Sequence, residues 1–184
     1  MSKRIAYLAA AAFSALAITA TVVAPVRAEE KTVMVGGAAM FPSKNIVQNA
    51  VNSKDHTTLV AAAKAAGLVP TLEGKGPFTV FAPTNAAFGK LPAGTVDNLV
   101  KPENKATLTK ILTYHVVPGK LEASDLKDGQ KLKTVEGEEL TVKKSGSSVM
   151  IVDAKGGSST VTIPNVNQSN GVIHVVDTVL MPAS

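Results

Sequence analysis

The run GVIHVVDTVL, residues 171–180, sets one histidine and one aspartate in an apolar stretch. An imidazole beside a carboxylate is the elementary unit of general-base catalysis, so the first question is whether the two can meet. If the run is a strand, its side chains alternate between faces. His174 then shares one side with Val172, Val176, Thr178 and Leu180, and Asp177 shares the other with Ile173, Val175 and Val179. They point apart and form no dyad. A buried imidazole must still pair its nitrogens, and His174 is expected to bond to the backbone of a neighbouring segment.

His115 follows Tyr114 at a helix-to-strand junction, with Ile111, Leu112, Val116 and Val117 as apolar flanks. A backbone partner is expected there too, which makes His115→Ala cost about 1–3 kcal/mol. His56 sits in the polar segment SKDHTT and is read as solvated surface. Histidines at 56, 115 and 174 have no metal-ligand spacing. Asp55-His56 offers two ligands at best, and Met34 and Met40 are soft copper ligands without a nearby histidine. Glu136, Glu138 and Glu139 crowd one loop without the apolar pocket that would split their acidities. The serines of SGSS (145–148) and GGSST (156–160) lie among turn residues, and no nucleophile elbow, phosphate loop or dinucleotide fingerprint occurs. The expectation is a protein that is not an enzyme, with no cofactor and no metal.

These groups need elements to position them. The chain opens with Lys3 and Arg4, an Ala-rich uncharged stretch, and Val26-Arg27-Ala28, the pattern of a secretory signal peptide cut after Ala28. Losing residues 1–28 removes Lys3, Arg4 and Arg27 and takes the net charge from +5 to +2. The 156 remaining residues suffice for one domain with its own core and contain no arginine. Their lysines are scattered and Tyr114 is their only tyrosine, which sets nucleic acid aside. Without cysteine there is no disulfide, iron–sulfur cluster or thiol chemistry.

Residues 29–42 read as a leader, mobile or strapped onto the domain. Ser43 is a candidate cap for a helix carrying Ile46, Val47, Ala50 and Val51. Leu59, Ala62, Ala63 and Ala66 mark a second helix that Gly67 stops. FTVFA (78–82) reads as a strand that Pro83 ends, after which Thr84 or Asn85 caps a helix carrying Phe88 inward. Further helical patterns start at Thr95 and Pro102. From YHVV (114–117) onward the pattern becomes short β-type runs between Gly, Asp, Asn and Ser turns. Helices first and strands afterwards indicate an α+β domain.

FTVFAPTNAAF (78–88), TYHVVPG (113–119) and SNGVIHVVDTVLMP (169–182) resemble, in order and spacing, the three signature blocks of the fasciclin (FAS1) domain. The resemblance covers residues 43–183. It implies a wedge-shaped β-sandwich with N-terminal helices packed around it, and a role in adhesion or matrix contact. Phe81, Pro83, Thr84, Asn85, Phe88, Tyr114, His115, Asn170, Gly171, His174 and Asp177 fall on its motifs as structural residues. In animal members an Asp-Ile pair and the Tyr-His block are implicated in integrin binding. Asn165-Val166 fills the Asp-Ile place here, so the acidic group is missing. Tyr114, His115, Asn165 and Val166 remain the candidate interaction residues. The expected partner is a protein or polysaccharide of a cell surface, matrix or envelope, with no membrane span after signal removal. The alternative is a carrier of an apolar, carotenoid- or lipid-like molecule, since some members of that family are associated with carotenoid. Met40, Phe41, Phe78, Val80, Phe81, Phe88, Ile111 and Met150 are its candidate groove walls.

Overall fold

The computed structural model describes residues 31–183, and the expected signal peptide lies outside them. The first described element is a hairpin of β1 (Val33–Val35) and β2 (Ala38–Met40). Gly36 and Gly37 form its tip with φ of 57° and 76°, the left-handed conformation that a two-residue hairpin turn requires. The Gly36 carbonyl accepts from Lys54 N at 3.2 Å, and a Cβ on Gly36 would strike Ser53 and Asp55 N. Val35 and Met40 are buried. Of the two behaviours open to the leader, strapping is the one observed.

Helix α1 (Ile46–Ala50) starts two residues later than a Ser43 cap requires. Asn45 supplies the cap instead: its Oδ1 accepts from Gln48 N at 2.8 Å, and Gln48 Oε1 accepts from Asn45 N at 3.0 Å, a reciprocal capping box. Helix α2 (Thr57–Ala66) ends where Gly67 turns left-handed at φ 71°, and α3 (Val69–Leu72) follows. Strand β3 (Phe78–Pro83) leads into α4 (Asn85–Gly89), capped by Thr84. Helix α5 (Thr95–Leu99) precedes α6 (Lys105–Tyr114), and Pro102 opens a short 3₁₀ turn between them rather than α6 itself. YHVV is not a strand throughout. Tyr114 ends α6 and His115 caps it, so β4 (Val116–Pro118) starts two residues later than the apolar run implies.

The remaining strands are β5 (Lys131–Lys133), β6 (Glu139–Ser145), β7 (Ser148–Val152), β8 (Ser158–Gln168) and β9 (Gly171–Val176). Seven strands form one sheet in the order β4-β3-β9-β8-β7-β6-β5. Val135 N donates to Val116 O at 2.8 Å, so its two ends nearly meet. The pair β3–β9 is parallel and the other neighbours are antiparallel. The fold is the expected α+β arrangement, a sandwich-like sheet with helices around it.

Inside the curved sheet Phe81, Tyr114, Leu140, Ile151, Val176 and Leu180 form one core. On the other face of β3 and β9, Val80, Ala82, Ile173 and Val175 pack against Val35, Met40 and Ile46. Burial on both faces explains why these two strands read as continuous apolar runs. Helices α2 and α6 meet through Ala62, Ala63 and Ala66 against Leu108 and Leu112, the small side chains giving the larger ones room. Strand β8 tolerates Pro164 because its pairing with β9 shifts register between Val161 and Val166, and Asn165 there takes φ 57°, as bulge residues do.

Asn170, in the β8–β9 turn, ties three segments together. Its Oδ1 accepts from Ile46 N at 3.0 Å, and its Nδ2 donates to Leu72 O and Gly74 O at 2.7 and 2.9 Å. Asn170→Asp keeps the shape and removes both donations. It is expected to destabilise the protein by about 2–3 kcal/mol, read as a lower urea midpoint with an unchanged denaturant slope.

Candidate functional site

The motif residues gather around the β3–β9 pair, and their polar members Asn85, Tyr114, His115, Asn170, His174 and Asp177 each bond to the backbone of another segment. His115 lies under the C-terminal tail. Its Nδ1 is 2.8 Å from Ile111 O, and its Nε2 accepts from Leu180 N at 2.9 Å. The Ile111 carbonyl requires a proton on Nδ1, so the neutral tautomer is set by its surroundings. Tyr114 OH donates to Glu139 O at 3.2 Å and accepts from Ala154 N at 2.9 Å. Asp153 completes the clamp: Oδ1 accepts from Lys155 N and Gly157 N, and Oδ2 from Met181 N at 3.0 Å. Asp153 was not among the residues the sequence singled out, because a lone aspartate before a glycine pair carries only a turn signal.

His174 lies in β9 and stacks on Phe81 with ring centroids 5.7 Å apart. Its Nε2 is 2.7 Å from Leu121 O, and its Nδ1 accepts from Asn165 N at 3.3 Å. Asn165 Oδ1 accepts from Ala123 N at 2.7 Å. His174 and Asn165 thus hold the irregular 119–126 loop against the β8 bulge. Asp177 does point elsewhere: it accepts from Thr160 N and sits 3.7 Å from Lys90 at the surface. Asn85 Oδ1 accepts from Thr58 N, and Nδ2 donates to Lys54 O, joining α4 to the start of α2. Pro83 ends β3, Phe88 packs beside Ile111 and Val179, and Gly171 opens β9 against Phe78.

Three of the four candidate interaction residues are corrected by this geometry. Tyr114, His115 and Val166 are 0%, 2% and 1% exposed, so none of them presents its side chain to a partner. Asn165 alone remains partly accessible, and its amide is already bonded to Ala123.

His56 is also corrected. It is 3% exposed, turned inward beneath β3 with Nδ1 2.9 Å from Ser53 Oγ. Its Nε2 has no hydrogen-bond partner, and burial lowers the ring's pKa against a smaller raising effect of the Ala82 backbone. The ring borders an apolar cavity of about 60 Å³ under the β1–β2 hairpin, lined also by Met40, Ala63, Leu72, Val80 and Ile173. Of the expected groove walls only Met40 and Val80 line it. Phe81, Phe88 and Ile111 are instead filled into the cores. Met40 also borders a more open groove of about 400 Å³ with Lys31, Glu122, Asn165 and Asn167.

Burial pushes the His115 imidazole down to about 4, and lowers His174 and His56 as well. These histidines fold neutral and become protonated more readily once unfolded. Their contribution is therefore complete above the ordinary value near 6.5 and is lost as pH falls from there toward 4. The urea midpoint is expected to fall between pH 7 and pH 5, by about 1–3 kcal/mol in unfolding free energy. Equal midpoints at the two values would contradict the burial of these rings in neutral form. Among the described residues no group of three or more His, Cys, Asp or Glu is placed to hold a metal ion, and no helix is long and apolar enough to cross a membrane.

The sheet is nearly closed, and the buried Tyr114, His115, His174 and Asn170 bond to backbone groups of other segments around it. The fasciclin domain model matches residues 54–182, and the chain belongs to that family. Protein sll1483 of Synechocystis sp. is 46% identical over 168 residues, covering 91% of this chain and 90% of that one. The cell surface glycolipoprotein MPB83 of Mycobacterium bovis is 39% identical over 152 residues, 80% of this chain and 64% of the relative. A FAS1 domain pair from the insect cell adhesion molecule fasciclin I superposes with a TM-score of 0.68 at 19% identity, over 77% of this chain and 52% of that one. At that identity the likeness is one of fold.

Proposed function

We propose that the protein is an exported, non-enzymatic interaction module that contacts cell-surface, matrix or envelope partners. The observation that carries this reading is the commitment of His115, His174 and Tyr114 to backbone partners, which occupies the motif histidines and tyrosine in holding the fold. The cell-surface relative from Mycobacterium bovis supports the same placement. A single domain gives one weak contact, and function then requires clustering. Biotinylated protein is expected to bind its producer's cells or envelope fragments far better as a streptavidin tetramer than as a monomer. If neither form is retained on cells, envelope or polysaccharide, the adhesion reading fails.

A second reading, a carrier of an apolar molecule, is favoured by the cavity beneath the hairpin. Native mass spectrometry of protein purified gently from its producer tests it through a stoichiometric adduct.

A further inference from the structure

The cavity and the histidine beside it are difficult to explain as packing alone. Buried polar atoms in folded proteins are nearly always paired, and an unpaired one costs about 1–3 kcal/mol. A leucine at position 56 would avoid that cost and fill space. Yet His56 stands, with His115, at the wall of a cavity whose other lining residues are apolar, and its Nε2 is unpartnered. Ser53 Oγ is the partner of Nδ1. With the Ser53 hydroxyl donating to Nδ1, Nε2 carries an N–H that no described group accepts. That N–H calls for an acceptor.

We propose that this cavity takes the leading end of an uncharged, largely hydrocarbon molecule whose terminal oxygen accepts a hydrogen bond from His56 Nε2. The proposal rests on the carrier reading and names its site and ligand chemistry. A carbonyl, hydroxyl or ether oxygen fits; a carboxylate does not, because ionised groups are strongly disfavoured in an apolar, unpaired setting. The space of about 60 Å³ is smaller than the ~150 Å³ that houses a benzene ring, so the molecule enters by a narrow end and the hairpin yields to the rest. Met40 is the place to yield. It lines both the inner cavity and the open groove, its side chain is flexible, and it sits in a two-stranded hairpin, a marginal element by itself. Just beyond the hairpin Asn49 holds Phe41, accepting from Phe41 N at 3.0 Å and donating to Phe41 O at 2.8 Å, so yielding at Met40 leaves that anchor in place.

Amide NMR titrations with 2-octanone and with xenon test this. Xenon reports the cavity without needing a hydrogen bond, and 2-octanone adds the acceptor. Both are expected to shift amides of the hairpin and α2 saturably. His56→Leu should weaken 2-octanone about tenfold and leave xenon bound, whereas Ala63→Leu, which fills the cavity, should abolish both. If neither probe produces a saturable shift, the carrier reading falls and the proposal with it. If both bind but His56→Leu leaves the ketone affinity unchanged, the proposal alone is overturned. Octanoate competing as tightly as the ketone would overturn the assignment to an uncharged ligand.

Discussion

Gly171→Ala protein is expected to be recovered unfolded or aggregated, with no cooperative thermal transition. Gly171 opens β9 at φ 157° beside Phe78, and a Cβ built there would lie on the Phe78 carbonyl and crowd Phe78 N at 2.9 Å. Neither neighbour is a flexible side chain tip; both are backbone of the adjoining strand. Relieving the clash means separating β3 from β9, the pair around which both large cores assemble. The cost is about 4 kcal/mol or more, in the range reserved for a few severe mechanisms and comparable to the whole stability of a small domain. Circular dichroism and a thermal melt suffice as the readout. A variant melting near the wild-type temperature would show that the strand start can shift without opening the sheet.

The next largest effect is expected at His115. Truncation to alanine strands the Ile111 carbonyl and the Leu180 N–H and leaves a hole in a fully enclosed site. Two unsatisfied backbone groups and a cavity together cost about 3–5 kcal/mol, more than a single lost bond would. For a chain of this length the melting temperature should fall by about 10 °C. His115→Ala should also flatten the loss of stability between pH 7 and pH 5, since the ring lowered to about 4 is its largest identified source. A drop in melting temperature without that flattening would place the acid sensitivity at His174 and His56.

Much of the frame is legible from periodicity. Alternation along 172–180 separates His174 from Asp177, and the cores respect it: Ile173 and Val175 face the hairpin side, Val176 and Leu180 the interior. The helices of α2 and α6 follow from their i, i+3, i+4 apolar spacing. What stays hidden is pairing. β3 and β9 are apolar on both faces, so nothing in either run says which strand adjoins it or in which direction. The length of β8 is masked by Pro164, an ordinary strand stop that the bulge at Asn165 accommodates. His56 is masked differently: Ser53, Lys54, Asp55, Thr57 and Thr58 make its segment look wet, while the chain turns that one ring under β3. Its partner Ser53, three residues earlier, is the only local signal. The Leu121 carbonyl that receives His174 belongs to a loop without periodicity, which no pattern of residue types locates.

The parallel pairing of residues 78–83 with 171–176 also sets an order of events. Its halves lie more than ninety positions apart in the chain, and the inner core also draws on Val176 and Leu180, at and beyond the end of the second half. Such long-range closure is slow compared with local helix formation. Both segments, residues 78–83 and 171–176, must therefore be present before the central strand finds its neighbour.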